Sequence, residues 1–448
     1  MRKVLLRWLQ NNTFCWAVSA VVTFVVYLLI QQGHDARGLS YADNTLLTIS
    51  MITREALRIL ENNLAFTKRI NRQYDDKFAI EGAKIGYVVN ARKPVRYVVS
   101  TGQALALQDA TETQVPVALT TQDHVDFQFS SADLKLSIDD FGDRFIQPAV
   151  AALANKMDFN GLQLYKQIFN AVGTPGVNVA DLLTYLLAGV KLDNNAAPQD
   201  EQRYLVITPK MQAYIVDALK GLFQQSTAIA TQYTKGTMGI AGGFTWAMDQ
   251  NCPTHVSGTF AGSPTVSATA GQTGSSIDTI AWTAGPSLKK GDTFTMAGVF
   301  SVNPQSRQST GDLQQFTVTA DTATAGTTLT IPISPPIITS GAFQTVSNSP
   351  AGSAAITYNA GSGASGATGS SSPLGLAFHR DAFTLVTADL PVPKGTDMAS
   401  RVSDKQLGIS LRIVRDYDIT TDQFPCRIDV LYGWAVLRPE LACRIYSA

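Results

Sequence analysis

The chain has 448 residues, enough for about three domains. It carries 35 basic and 35 acidic residues and no net charge, which removes any electrostatic ground for tight nucleic-acid binding. Only 16% of residues are charged, a low share that fits a surface buried against other chains; a monomer with a Ser/Thr-rich surface is the competing account.

Residues 1–40 read as an apolar leader. Phe14–Ile30 is uncharged and follows Arg2, Lys3 and Arg7. Extended back to Asn11, it reaches the roughly 20 residues that cross a bilayer, with the flanking charges keeping the N-terminus in the cytoplasm. No small-x-small cleavage site follows. Three readings stand side by side. The start is over-extended and Leu39 opens the natural chain with LSYADNTLLTISM, or the segment is a real apolar arm or anchor, or it is a signal peptide. No second span follows residue 40.

Residues 41–75 form an N-terminal arm. Within it Asn44–Thr67 carries a helical stripe at Leu47, Met51, Ala56, Leu57, Leu60 and Leu64. Residues 76–137 are strand-rich. Lys84–Val89 and Val95–Ser100 flank a turn at Asn90–Pro94, and Val115–Leu119 and His124–Ser130 follow. The polar stretch Gln103–Gln114 reads as the tip of a long two-stranded extension. An isolated hairpin is marginal in water, so this one must lie on something, most simply a neighbouring copy.

Residues 138–176 hold the spine of the fold. Val150, Leu153, Met157, Leu164 and Ile168 recur at steps of three and four, with Gly161 in the one gap. Asp139, Asp140 and Asp143 suit a helix start, and Pro148 suits the first turn. A helix from Pro148 to Asn170, stopped by Gly173 and Pro175, would be roughly 35 Å long.

Residues 177–252 read as a helix–strand lobe. Val179–Gly189 is a leucine-rich helix, and Tyr204–Thr208 a short strand. Pro209–Phe223 is a helix capped by Thr208. Gly236–Gly243 is a loop, because it lacks the G-K-[ST] of a phosphate cradle. At residues 253–375 the composition shifts to Thr, Ser, Gly and Ala, which reads as an inserted β module. Its clearest strands are Thr293–Val299, Phe316–Ala320 and Thr327–Ile333, with turns at Lys289–Asp292 and Thr310–Asp312. Asn359–Ser372 is low complexity. Residues 376–448 return to the lobe with strands Leu376–Ala388, Gly408–Tyr417 and Cys426–Val436 and a packed strand at the terminus.

Catalytic and metal signatures are thin. Cys15, Cys252, Cys426 and Cys443 are far apart with no C-x-x-C, so they read as reduced, partly buried thiols. His124, His255 and His379 are scattered and read as structural or interface residues. His379 beside Arg380 and Asp381 lacks a further catalytic partner. Asp416, Asp418 and Asp422 resemble half a calcium loop without its glycine and terminal glutamate, and read as surface acids. No catalytic, cofactor-binding or metal-ligating residue is nominated, and no cofactor is expected.

From Tyr41 onward the order of parts resembles the major coat proteins of tailed bacteriophages. The similarity is greatest to the P-twenty-two-type coat family of short-tailed phages. It is carried by LKKGDTFTMAGVFSVNP at Leu288–Pro304, LQQFTVTAD at Leu313–Asp321, LAFHRDAFTLVTADLPVP at Leu376–Pro393 and the stretch Ile413–Ile445. The resemblance implies an α+β, HK-ninety-seven-like capsid fold: N-arm, extended hairpin loop, spine helix and α/β axial domain, with a small inserted β-barrel. It implies a structural, non-catalytic subunit that self-assembles as hexamers and pentamers into an icosahedral virion shell. The implied partners are other copies, a scaffolding protein, a portal, and packaged double-stranded DNA contacted non-specifically, with assembly in the host cytoplasm. The apolar leader departs from that pattern, and membrane association is not expected. The alternative is a membrane-anchored bacterial surface or adhesion protein with β modules.

Overall fold

The computed structural model describes residues 53–60, 64–75, 88–99, 101–103, 107–109, 112–130, 146–219, 239–260, 262–283, 285, 287–323, 326–359, 371–404 and 408–448. The apolar run Phe14–Ile30, the acidic residues Asp139, Asp140 and Asp143, and most of the low-complexity stretch fall outside them. Among the described residues no helix is long and apolar enough to cross a membrane. The chain divides into residues 1–55 and 56–448, and the second unit holds every element below apart from the first three helical residues of 53–60.

The spine helix α1 spans Gln147–Leu162, with Pro148 in its first turn, where a missing N–H costs nothing. The expected helix to Asn170 is shortened. The α-helix gives way to a 3₁₀ turn at Gln163–Gln167, and Ile168 is already extended. Side chains decide this end before Gly173 and Pro175 are reached: Tyr165 in the tighter turn and Ile168 and Phe169 just after it are buried. The apolar stripe is otherwise as expected, with Val150, Leu153 and Met157 buried. The gap at Gly161 has a physical cause. A Cβ there would lie 2.6 Å from the Trp434 ring and 2.9 Å from Phe66. Phe66 in turn packs on Phe378, Phe383 and Trp434 with ring centroids 5.2–5.8 Å away.

The arm departs from expectation. Residues 53–60 are helical, but Leu64–Phe66 are not, and Thr67–Arg69 is a 3₁₀ turn. The buried carboxylate of Asp158 on α1 takes over the backbone here. It accepts the N–H groups of Ala65 at 2.6 Å, Phe66 at 3.1 Å and Thr67 at 2.9 Å, together with the Thr67 hydroxyl. Those N–H groups therefore find partners without a helix.

One sheet carries the spine-side lobe. Its strand order is Asn71–Asp75, Phe383–Ala388, Gln423–Val436, Ile409–Arg415, Met398–Asp404, and Thr121–Ser130 also pairs with Gln423–Val436. Of the expected turn Asn90–Pro94, Asn90–Arg92 is strand instead. Val88–Arg92 pairs antiparallel with Gln114–Ala118, not with Val95–Ser100. Burial explains the register: Ala91, Val117 and Leu119 pack with Val386, Ala388 and Leu431 of the chain's own sheet. The base of the extension thus lies on its own body rather than on a neighbouring copy. Likewise Thr121–Ser130 is not part of the extension but runs antiparallel to Gln423–Tyr432.

The axial sheet has the order Ala171–Val172, Ala442–Tyr446, Ser371–His379, Arg203–Ile207, Phe244–Met248, Ile240–Ala241. Helix α2, Leu182–Asn194, starts three residues later than expected and runs further. Helix α3, Pro209–Leu219, begins on the Thr208 hydroxyl, which accepts the Met211 N–H at 3.1 Å. The expected single strand Leu376–Ala388 is two. Ser371–His379 belongs to the axial sheet and Phe383–Ala388 to the other, and a 3₁₀ turn at Arg380–Ala382 redirects the chain between them. The C-terminal strand Ala442–Tyr446 is packed as expected, buried throughout.

The inserted module is a sheet in the order Gly262–Val266, Gly274–Trp282, Leu329–Ile337, Ser309–Val318, Thr293–Val302, Ile356–Tyr358. Among the described residues its edges meet at an isolated bridge, Thr265 to Ala355, so it is nearly closed rather than a continuous barrel. Thr310–Asp312, expected as a turn, lies inside a strand. Gly311 has φ +82° and sits where the register between Thr293–Val302 and Ser309–Val318 shifts, so the turn signal marks a bulge. Trp282, Phe294, Phe316 and Ile331 fill the core.

Candidate assembly interfaces

The residues with chemical potential land in structural roles. His124 is on an exposed strand, 2.8 Å from Asp126. His379 is buried where its strand ends. Its Nδ1 accepts the Asp381 N–H at 3.2 Å and caps the 3₁₀ turn, while Nε2 lies 3.0 Å from Asp200. Asp418 folds its own turn, accepting the Thr420 N–H at 2.9 Å and the Thr421 hydroxyl at 2.9 Å. Asp422 instead accepts the Tyr417 hydroxyl at 3.0 Å. The structure therefore does not bring the three acids together as a ligand set, and among the described residues no cluster of three or more metal-capable side chains exists. Cys252, Cys426 and Cys443 carry free thiols, and burial pushes those of Cys426 and Cys443 up to about 11 and 12.

A buried polar joint ties three parts of the chain together. Asp292, in the turn just before Thr293–Val302, accepts the N–H of Lys289 at 2.7 Å and that of Gly258 at 3.1 Å. Its other oxygen is 2.9 Å from His255 Nε2, and His255 Nδ1 is 3.1 Å from the Tyr165 hydroxyl below the spine helix. Burial pushes that hydroxyl up to about 12, so it stays protonated. Arg444, fully buried on the C-terminal strand, donates to the carbonyls of Gly291 and Ile168 and, at 3.1 Å, to Thr317. Gly291 has φ +102°, and a Cβ there would press on His255 and Lys166 at 3.3 Å. Removing any one partner strands a buried charge or donor, which fixes the module's seat on the spine. From sequence, His255 was singled out and Asp292 appeared only as the end of an expected turn; Tyr165 and Arg444 carry no local signal.

Among the described residues, two exposed apolar surfaces stand out. In the extension residues 93–99 are irregular, and Val99 and Leu107 are exposed at 91% and 87%. It touches its own chain through Arg96, 2.7 Å from Glu440, and through the Tyr97 carbonyl, which accepts from Arg307 at 2.8 Å. The second surface is the outer side of α2, where leucines face solvent. An isolated domain would cover or avoid such surfaces; an assembling subunit uses them.

Comparison with curated proteins gives no match. Among solved structures the chain is similar to a Mycobacterium phage Che8 protein at 13% identity, over 85% of this chain and 90% of that one, with a TM-score of 0.43. It is similar to the capsid of cyanophage P-SCSP1u at 12% identity, over 86% and 88%, with a TM-score of 0.41. A shorter likeness, to the CUS-3 coat protein I-domain, has 31% identity over 23% of this chain and 94% of that one, with a TM-score of 0.15. The profile of the family described as "P22 coat protein - gene protein 5" matches residues 42–444. The chain therefore belongs to the P22 coat protein family: it is an α+β major capsid protein, structural rather than enzymatic, whose copies self-assemble into the virion shell.

Proposed function

We propose that the shell is built from hexamers and pentamers of this chain and encloses double-stranded DNA, after assembly in the host cytoplasm with a scaffolding protein and a portal. The observation that carries the reading is the exposed extension. Its base is fixed on the chain's own sheet, while Tyr97, Val99 and Leu107 stand in solvent. Fixed base and open reach suit a limb that adapts to rings of different curvature while the spine stays rigid. In this reading residues 41–75 are the arm, 76–137 the extended loop and peripheral-domain strands, and 138–176 the spine helix of the peripheral domain. Residues 177–252 and 376–448 are the axial lobe and C-terminal strands, and 253–375 the insertion that steadies the monomer. The zero net charge fits DNA held by confinement rather than by tight contact.

The test is purification of particles from cells expressing the chain with and without candidate scaffolding and portal genes, followed by nuclease digestion. Uniform closed particles that depend on scaffolding and protect duplex DNA when the portal is present are expected. Uniform particles without scaffolding, or particles that never protect DNA, would contradict the corresponding part. Deleting Gln103–Gln114 should leave a folded subunit that assembles poorly; normal particles would remove the loop from the account.

A further inference from the structure

Helix α2 is apolar on two opposite faces. Tyr185, Ala188 and Leu192 turn inward and are buried. The Tyr185 ring lies 5.0 Å from Trp246, and a Cβ on Gly189 would stand 3.4 Å from Phe244. On the other side Leu183, Leu186, Leu187 and Val190 recur at the three- and four-residue spacing of one helical face. They are exposed at 63, 40, 44 and 46%. A helix that covers a sheet in water has a polar outer face; one that is apolar all round belongs between two covers.

The surroundings say what kind of cover fits. Ile240, on the neighbouring hairpin, is 80% exposed, and the turn glycine Gly242 abuts Leu186, so apolar surface continues past the helix. Lys191, the one cation of α2, is spent inside the chain, 2.9 Å from Asp312. Asp193 is likewise taken by Arg203 at 2.7 Å. The stripe thus offers no free cation to a phosphate backbone or a lipid headgroup layer. Its charge pattern is complementary to another neutral apolar surface, and in a shell the surface present in greatest excess is a second copy.

We infer that the Leu183–Val190 stripe of α2, continued by Ile240, is an interface buried against a second copy of this chain. The inference rests on the shell-forming role and adds to it the surface that is used. A patch of a few hundred Å² is the size of one contact among several in a stable interface, not of a whole one. The stripe therefore works together with other contacts around the subunit.

The experiment uses the full chain with a photo-crosslinking amino acid in place of Leu187. Irradiation of assembled particles should give a product of twice the subunit mass; products confined to single chains would overturn the inference. In parallel, the double variant Leu183→Gln/Leu187→Gln should keep the monomer's circular dichroism and melting temperature. Its critical concentration for particle formation should rise about 100-fold, roughly tenfold for each lost anchor. Particles from the variant at the unmodified chain's concentration would overturn the inference alone. Failure of the unmodified chain to form particles would overturn the shell reading, and the inference with it.

Discussion

The inserted module and the axial lobe that carries it solve the same problem differently. The module closes its own core: Trp282, Phe294, Met296, Phe316 and Ile331 are all at 2% exposure or less. The axial lobe buries one side of α2 and leaves Leu183, Leu186, Leu187 and Val190 in solvent. The first is a finished body and the second a part that its neighbours finish. Stability lost from the module should therefore appear in the free subunit, and changes to the outer stripe of α2 should appear only on assembly.

The largest effect is expected from Phe294→Ala. This ring stacks on Phe316 at 5.9 Å and meets Tyr358 at 5.4 Å. Its loss should cost about 3–5 kcal/mol in urea unfolding of the subunit. Next comes Asp292→Ala at the joint, which leaves the N–H groups of Lys289 and Gly258 and the ring of His255 without their acceptor. About 2–4 kcal/mol should be lost, and Asp292→Asn should recover part of it. If either change leaves unfolding untouched and blocks assembly, the contrast between module and lobe is reversed.

A third test concerns the axial lobe itself. Burial, helped by nearby Asp158, holds the carboxyl of Asp249 up at about 6, although it accepts the Asn251 N–H at 2.8 Å. Between about pH 4 and 6 the folded chain binds more protons at this group than the unfolded chain, so stability falls as pH rises through that window. The cost of the ionised form is fully present at pH 7. Asp249→Asn should therefore stabilise the subunit by about 1–2 kcal/mol at pH 7 and by nothing near pH 4, read from urea midpoints. An equal gain at both pH values would contradict the assignment. The smallest effect is expected from Leu183→Gln alone, within about 0.5 kcal/mol of the unmodified subunit. A larger loss would mean that the stripe is covered within the chain.

Local patterns carried much of the fold. The beat of Val150, Leu153 and Met157, the Pro148 start, the Thr208 cap and the final strand were all readable because each depends on neighbours a few residues away. What was not readable depends on partners far along the chain. Thr121–Ser130 pairs with Gln423–Tyr432, and nothing in either stretch names the other. The early end of helix near Leu64 follows from Asp158, a charged residue that pattern alone assigns to a surface. Thr310–Asp312 looks like a turn because Gly311 supplies the same backbone freedom to a bulge. The assembly surfaces were half legible. The sparse charge pointed to burial between chains, but the run of leucines in α2 looks the same whether one face or both are to be covered.

Amide hydrogen exchange, measured on free subunits and on assembled particles, tests the central claim most directly. The account predicts strong added protection at residues 183–190 and in the extension beyond residue 92, with the core strands of the module unchanged. Protection gained in the module's core while the stripe and the extension exchange as in the free subunit would contradict it.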